Sequence, residues 1–232
     1  MNKKINTIYQ DSHILILDKP AGLIVEKEKS KEGTLEDILK KDFSINLPRS
    51  GIIHRLDKDT SGIIVVAKNK ESLVDLQNQF ASKKVKKAYY ALVLGKLEPK
   101  EGKIDIALKR DPKNRIRFIA SQAKSAREAV TKYKVVKHYK TPSSSLTLLK
   151  AMPLTGRTHQ IRAHFFVINY PIIGDHVYKN KHSKEVSEKM SLKRQFLHAG
   201  KIEFTHPKTK KNITFKTNLP GDLKKILEDL EK

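Results

Sequence analysis

Short apolar runs separated by polar turns dominate the pattern of this chain. Residues 13–18 and 61–67 are almost continuous in apolar and β-branched side chains, which predicts two buried strands. Pro20 and Gly22 end the first of these strands. Five further apolar runs predict strands, and they cover residues 89–94, 128–139, 145–151, 196–204 and 213–215.

Polar capping residues mark the predicted starts of three helices, at Thr34, Asn69 and Thr158. Asp37 stands three residues after Thr34, as a capping box requires. The second and third helices carry apolar side chains at helical spacing, and these are Leu73, Leu76 and Phe80 in one and Ile161, Phe165 and Ile168 in the other. A fourth helix is predicted over residues 222–230.

The predicted strands outnumber the helices and do not alternate regularly with them. This order favours an α+β fold with a mixed or antiparallel sheet over a doubly wound parallel fold. The chain has no internal repeat and no low-complexity linker. The simplest organisation is therefore one domain over residues 1–232, with room for two lobes around a cleft.

The positive charge of the chain bears on its function, because it favours a negatively charged partner. The 232 residues include 48 Lys and Arg against 25 Asp and Glu, which gives a formal net charge of +23. Residues 103–140 alone hold twelve basic and three acidic side chains. Such a surplus favours a polyanion, since each neutralised phosphate releases counterions. A solvated surface in a lysine-rich protein explains the composition equally well.

Several functional classes are excluded by composition. The chain has no Cys, which rules out disulfide scaffolds, thiolate metal centres and cysteine nucleophiles. It contains neither a Walker loop nor a dinucleotide glycine pattern. No apolar run approaches the roughly 20 residues of a membrane span, and residues 1–4 do not begin a signal peptide. We therefore expect a reduced, cytoplasmic compartment.

The most informative segment is residues 54–62, His-Arg-Leu-Asp-Lys-Asp-Thr-Ser-Gly, which leads into the strand 61–67. A loop of this kind can hold polar groups at a binding site. Its alternating oxygen ligands superficially fit a calcium loop, but Lys68 stands where the bidentate Glu should be. An ordinary turn whose Asp side chains accept backbone N–H groups is the plainer alternative.

Segment 54–62 resembles the signature of the RluA family of pseudouridine synthases. Other segments match that family in the same order, and these are Lys19-Pro20-Ala21-Gly22, Lys87-Ala88-Tyr89-Tyr90-Ala91, residues 155–164, residues 171–178, Leu197-His198-Ala199 and His206-Pro207. The resemblance implies a mixed, largely antiparallel bent sheet with flanking helices and a central RNA-binding cleft. It also implies an RNA-modifying isomerase that needs no cofactor and no metal.

In that chemistry the N1–C1′ bond of a uridine breaks, the base turns, and C5 joins C1′. The target base must leave its stack, and one ionised carboxylate must stand near C1′. The resemblance assigns that carboxylate to Asp57, its charge-keeping partner to Arg162, and the aromatic side chain against the base to Tyr89. The plainer roles are a turn-capping Asp, a phosphate-binding Arg and a core Tyr.

Six further residues are candidates for substrate or RNA contact. Arg55 matches the residue that enters the space of the flipped nucleotide or binds its phosphate, although an ion pair within the loop is an alternative. Leu197 either packs under the base or belongs to the core. The other candidates are His54, Thr60 and Lys19 in the matching segments and Arg157 at a predicted helix N-terminus, where N–H groups suit a phosphate.

Four histidines could suggest a metal, and these are His159, His164, His176 and His198. His159 and His164 are five residues apart and do not share a helix face, so structural hydrogen bonds are the expected role. Many relatives carry an N-terminal RNA-binding module before the segment that begins here at Lys19. We therefore expect this chain to bind RNA with its catalytic domain alone, and by default as a monomer.

Three functions remain open at this point. The first is a pseudouridine synthase, with ribosomal RNA as the expected substrate and transfer RNA as the alternative. The second is a catalytically idle protein of the same fold that binds RNA or assists ribosome assembly. The third is a base-excising glycosylase, which also flips a nucleotide and uses an Asp but releases the free base.

Overall fold

The computed structural model describes residues 5–26 and 33–232. Residues 1–4, for which the sequence predicts no signal peptide, lie outside the described part. The helices and strands are, in chain order, β1 (Asn6–Gln10), β2 (Ile14–Lys19), α1 (Leu35–Phe43), a 3₁₀ helix (Pro48–Gly51), β3 (Ser61–Ala67), α2 (Lys70–Ala81), β4 (Lys86–Leu94), β5 (Glu101–Asp105), β6 (Leu108–Arg110), β7 (Phe118–Ala120), β8 (Val130–Thr141), β9 (Ser144–Pro153), α3 (Gln160–Val167), α4 (Lys181–Lys189), β10 (Leu197–Thr205), β11 (Asn212–Lys216) and α5 (Gly221–Asp229).

The fold class is α+β, as predicted, with largely antiparallel strand pairing. The predicted caps of the first two helices are confirmed, since Thr34 and Asp37 form a capping box and Asn69 accepts a hydrogen bond from the Ser72 N–H. The sequence analysis predicted neither helix α4 nor the strands β1, β5, β6 and β7. Val186 is the one apolar residue of α4, so the helix shows no apolar periodicity.

The chain forms two compact units, and the first comprises residues 1–86 and 199–218. Its strands lie in the order β1-β2-β3-β10, and β11 pairs with β10. Strands β2 and β3 pack against apolar side chains on both faces. Ile14, Ile16, Ile63 and Val65 face the cluster that α2 covers, whereas Leu15, Leu17, Ile64 and Val66 face the cluster that α1 covers. Burial on two faces explains why both strands are continuously apolar in sequence.

The second unit comprises residues 87–198 and 219–232. Its strands lie in the order β4-β9-β8-β5, and a separate two-stranded sheet pairs β6 with β7. Its main core collects apolar side chains from these strands and from helices α3, α4 and α5. Among the described residues, no helix has the length and apolar character needed to cross a membrane.

Asp11, just after β1, is the centre of a hydrogen-bond network in the first unit. Its Oδ1 accepts the N–H groups of His13 (2.7 Å) and Ile14 (2.8 Å). Its Oδ2 accepts hydrogen bonds from the Tyr9 hydroxyl (2.9 Å) and from Nε2 of His206 (2.8 Å). Burial of the carboxyl opposes ionisation, but these four hydrogen bonds outweigh it and lower the pKa of Asp11 to about 2.

The Asp11 network predicts an acid-sensitive contribution to stability. Because the pKa is lower in the folded protein than in the unfolded chain, the contribution is complete above about pH 4 and is lost as the pH falls through about 2. Urea unfolding of Asp11→Asn should therefore show a smaller loss of unfolding free energy over this range than the wild type. Asp42→Asn, at an exposed position of α1, is the control, and equal slopes for Asp11→Asn and wild type would contradict the prediction.

Candidate functional site

The loop before β3 carries Asp57, the predicted catalytic carboxylate, and a second carboxylate, Asp59. Asp57 is half-buried, while its neighbour Leu56 is only 5 % exposed and anchors the loop in the interior. The Thr60 N–H donates to the Asp57 carbonyl oxygen at 3.1 Å, and Thr60 is itself buried. The loop is therefore fixed on both sides of Asp57, and the Asp57 side chain keeps access to solvent.

Lys19 stabilises this loop from the protein interior. Its side chain is completely buried, and its ammonium donates to the carbonyl oxygens of Pro20 (2.9 Å), Leu23 (2.9 Å) and Lys58 (3.0 Å). The Lys58 carbonyl oxygen also accepts the Gly22 N–H at 2.8 Å. The predicted RNA contact of Lys19 needs correction, because a fully buried ammonium bonded to carbonyls does not reach a substrate. Lys19 instead ties the segment after β2 to the residue next to Asp57.

His54 likewise has a supporting role in this structure. Its Nε2 accepts the N–H of Val65 in β3 at 3.0 Å, and its ring stacks on Phe80 with centroids 4.9 Å apart. These contacts account for the imidazole more directly than the predicted RNA contact does. Arg55, between His54 and Leu56, is exposed, so its predicted contact with a nucleotide remains a prediction that its position allows.

Gly62 closes the segment and lets β10 approach β3. Its φ of 117° lies in a region that side chains rarely adopt, and a Cβ here would stand 2.4 Å from the Ala199 carbonyl oxygen. Gly62 therefore allows the two strands to pack closely. Any catalytic role in segment 54–62 belongs to the residues before Gly62.

Helix α3 starts later than the sequence predicts. Its N-cap is His159, with a left-handed φ of 55°, and Thr158 does not cap it. The buried Gln160 side chain instead holds the segment that precedes α3. Its Oε1 accepts hydrogen bonds from the Arg157 N–H (3.0 Å) and from the Thr155 hydroxyl (2.6 Å). The Arg157 N–H is therefore bonded within the protein, and the predicted RNA contact of Arg157 stays a prediction. The exposed Arg157 side chain donates from Nε to the Glu128 carbonyl oxygen at 3.0 Å.

Arg162 lies in the first turns of α3 and is 5 % exposed. Asp175 binds it in a bidentate pair, with Nε–Oδ2 at 2.6 Å and Nη2–Oδ1 at 2.9 Å. The Asp175 Oδ1 also accepts the N–H groups of Val177 (2.8 Å) and Tyr178 (2.9 Å). The Tyr178 ring lies against the guanidinium, with its centroid 5.3 Å from Cζ. These contacts fix both the position and the plane of the guanidinium.

Tyr89 lies on the face of the second-unit sheet that α3 covers. It stands opposite Ala151 in β9, which stands opposite Tyr133 in β8, and the Tyr133 ring contacts Phe165 of α3 at 6.0 Å. Tyr89 is half-buried at the edge of this core. Tyr90 points to the opposite face, where Lys150 stacks over its ring at 5.7 Å.

Lys87 shares the Tyr89 face of β4, two residues before it. Desolvation lowers the pKa of Lys87 to about 8. Leu197 is 3 % exposed and belongs to the main core of the second unit, so core packing accounts for it rather than contact with a base.

The contacts of His164 and His176 fit the structural hydrogen-bonding role predicted for the histidines. In His164, Nδ1 contacts the Thr131 hydroxyl (2.9 Å) and Nε2 contacts the Ile106 carbonyl oxygen (3.0 Å), and burial lowers its pKa. His176 contacts the Lys193 carbonyl oxygen at 2.9 Å. Within residues 5–26 and 33–232, no three His, Asp or Glu side chains cluster in a way that could hold a metal ion.

The predicted catalytic residues are distributed over both units. Asp57 lies in the first unit, whereas Arg162 and Tyr89 lie in the second, so the pairing of Asp57 with Arg162 stays a prediction. Sequence analysis assigned no role to Asp175 and Tyr178, although both stand in a matching segment. A signal was available, because a buried arginine needs a carboxylate and Asp175 is the next acidic residue after Arg162.

The sequence model of a family described as RNA pseudouridylate synthase matches residues 13–166. A curated relative, ribosomal large subunit pseudouridine synthase D of Nitrosomonas europaea, is 39% identical over 97% of this chain and 64% of its own length. The protein of the same name from Buchnera aphidicola is 36% identical over 100% of this chain and 75% of its own length. The chain thus spans about two thirds to three quarters of these relatives.

Solved structures agree on the fold. Human RNA Pseudouridylate Synthase Domain Containing 1 superposes with a TM-score of 0.76, at 24% identity, over 94% of this chain and 84% of that chain. Human RNA Pseudouridylate Synthase Domain Containing 4 gives the same TM-score of 0.76 and the same 24% identity, over 97% of this chain and 93% of that chain. At this level of identity the likeness shows the shared fold.

Proposed function

The chain belongs to the RNA pseudouridylate synthase family, and we propose that it converts specific uridines of large-subunit ribosomal RNA to pseudouridine. The names of its relatives from Nitrosomonas and Buchnera support the ribosomal substrate over transfer RNA. We further propose that residues 1–232 act as one catalytic domain.

The observation that carries this proposal is the arrangement around Asp57. A half-buried carboxylate stands in a loop that the buried Lys19 and Leu56 hold in place. Such a fixed and accessible carboxylate is suited to act at the C1′ atom of a flipped nucleotide, either as a nucleophile or as electrostatic support for a developing cation. Attack on the base rather than on the sugar is the alternative within the same chemistry.

The proposed reaction rearranges bonds within one nucleotide. The N1–C1′ bond breaks, the uracil rotates, C5 bonds to C1′, the proton on C5 leaves, and N1 gains a proton. Arg162 is assigned the role of keeping the Asp57 carboxylate ionised, and this assignment is supported by the buried pair with Asp175, which fixes the position and plane of the guanidinium. Tyr89 is assigned the position against the base and is the candidate acceptor of the C5 proton.

RNA binding is assigned first to the hairpin of residues 108–120, which joins β6 to β7. The hairpin carries five cations and one acidic residue, and these are Lys109, Arg110, Lys113, Arg115, Arg117 and Asp111. Ile116 is 67% exposed at its turn, which gives an apolar side chain for contact with a base or sugar. Such a surface favours binding that weakens steeply with added salt.

The proposal is tested by mapping pseudouridines in ribosomal and transfer RNA from cells with and without this protein. Loss of one or a few sites in large-subunit ribosomal RNA, restored by the wild-type gene, is the expected result. A pseudouridine lost only from transfer RNA would show that transfer RNA, the alternative, is the substrate. No lost site in either RNA would contradict the enzymatic function and favour an idle RNA-binding protein.

Product analysis separates the isomerase from a glycosylase. Purified protein with unmodified ribosomal RNA should yield pseudouridine within an intact chain. Free uracil together with an abasic site would instead indicate base excision.

A further inference from the structure

Tyr178 contacts both the hairpin of residues 108–120 and Arg162. On the hairpin side, the Phe118 N–H in β7 donates to the Tyr178 hydroxyl at 2.7 Å. The guanidinium of Arg117 lies over the Phe166 ring of α3 at 4.7 Å and over the Tyr178 ring at 5.8 Å. The hairpin is therefore attached both to Tyr178 and to the helix that carries Arg162.

The other side of Tyr178 faces the catalytic candidate. Its ring lies 5.3 Å from Cζ of Arg162, and its N–H donates to Asp175, the carboxylate that orients Arg162. Tyr178 is 1% exposed, so its ring has no room to move independently of these neighbours. His159 extends the contact, since its Nδ1 lies 3.3 Å from the Tyr178 hydroxyl and its ring meets Phe118 edge-on at 6.1 Å.

We propose that Tyr178 is a positioning residue that couples the seating of the hairpin on RNA to the orientation of the Arg162 guanidinium. This inference rests on the proposed function, because it requires that the hairpin binds RNA and that Arg162 serves catalysis. A displacement of Phe118 when phosphates engage the hairpin must move the Tyr178 hydroxyl or break its hydrogen bond. In a close-packed interior that movement reaches the ring and the guanidinium stacked on it.

Arg115 and Tyr178 give the variants for a double-mutant cycle. Arg115 is exposed at the hairpin turn, so Arg115→Gln weakens the contact with phosphate. Tyr178→Phe removes the hydroxyl that accepts from Phe118 and keeps the ring against Arg162. Two quantities are measured, the dissociation constant for RNA and the single-turnover rate at saturating RNA.

Tyr178→Phe should lower the single-turnover rate about tenfold and change RNA affinity less than about twofold. Arg115→Gln should weaken affinity and also lower the saturated rate, by about threefold, in the wild-type background. In the Tyr178→Phe background, Arg115→Gln should still weaken affinity but leave the rate unchanged. Independent, multiplying effects on the rate would overturn the coupling and leave Tyr178 a purely structural residue.

Tyr170→Phe is the matched control. The Tyr170 hydroxyl donates to the Lys96 carbonyl oxygen at 3.5 Å, outside the hairpin, so the same deletion should leave the rate and its response to Arg115→Gln unchanged. An equal loss of rate in Tyr170→Phe would also contradict the proposal. If Tyr178→Phe does not fold, Arg117→Lys replaces it in the cycle, because lysine keeps the charge but cannot stack flat on Phe166 and Tyr178.

Hydrogen exchange distinguishes failure of this inference from failure of the proposed function. RNA should slow amide exchange in residues 174–180 of the wild type, and this response should be lost in Tyr178→Phe although RNA remains bound. A wild type that forms no pseudouridine contradicts the proposed function. In that case the change in amide exchange on RNA binding still tests whether Tyr178 couples the hairpin to Arg162. Identical exchange responses in both proteins would overturn the coupling whether or not the wild type is active.

Discussion

Asp57→Asn should abolish pseudouridine formation while leaving RNA binding within about twofold of the wild type. The substitution keeps the size and shape of the side chain but removes its charge and its ability to act as a nucleophile. Loss of the group that acts on the reacting atoms is expected to reduce the rate by at least about a thousandfold. Folding should be retained, because Asp57 is half-buried and the loop is held by Lys19 and Leu56.

Tritium release from RNA labelled at C5 of uridine measures the rate, and filter retention measures the binding of the same RNA. Asp59→Asn is the control, since Asp59 lies in the same loop, is also half-buried, and loses the same charge. We expect Asp59→Asn to stay within about tenfold of the wild type. An active Asp57→Asn protein would refute the assignment of Asp57, and loss of both binding and folding would show that the loop needs the charge for its structure.

Arg162→Gln should lower the free energy of unfolding by about 3–5 kcal/mol as well as abolish activity. The reason is the buried carboxylate that it leaves behind, since the Asp175 side chain is 0% exposed and loses both of its bonds to the guanidinium. Replacing both partners together, as Arg162→Met with Asp175→Asn, removes the unpaired charge and keeps an oxygen that accepts the N–H groups of Val177 and Tyr178. That double variant should regain most of the stability but none of the activity, which separates the structural role of the pair from the catalytic role of Arg162.

Urea unfolding and tritium release measure the two effects, and Arg194→Gln provides the control. Arg194 binds Asp222 with the same bidentate geometry, at 2.7 Å and 3.0 Å, but the Asp222 side chain is 50% exposed. Water can therefore solvate the carboxylate left behind, and the loss should be about 1 kcal/mol or less. Equal losses in Arg162→Gln and Arg194→Gln would contradict the importance of burial for the Arg162–Asp175 pair.

Features with a local physical cause were predictable from sequence. Strand β3 appears at its predicted bounds, because its residues are buried on both faces and read as one apolar run. The capping box of Thr34 and Asp37 is equally local, since it joins residues three apart. The position of Asp57 in a polar loop directly before β3 follows from the same boundary between polar and apolar sequence.

By itself, then, the sequence determined most of the longer strands and helices, the antiparallel α+β class and the family, because apolar spacing, caps and motifs are read along the chain. The tertiary structure alone decided what individual side chains do. It showed the buried Lys19 bonded to the Asp57 loop and His54 bonded to β3, and it made Asp175 and Tyr178 the supports of Arg162. The physical reason is that burial and hydrogen-bond partners are set by residues 11 to 39 positions away in these cases, and no local periodicity records such distances.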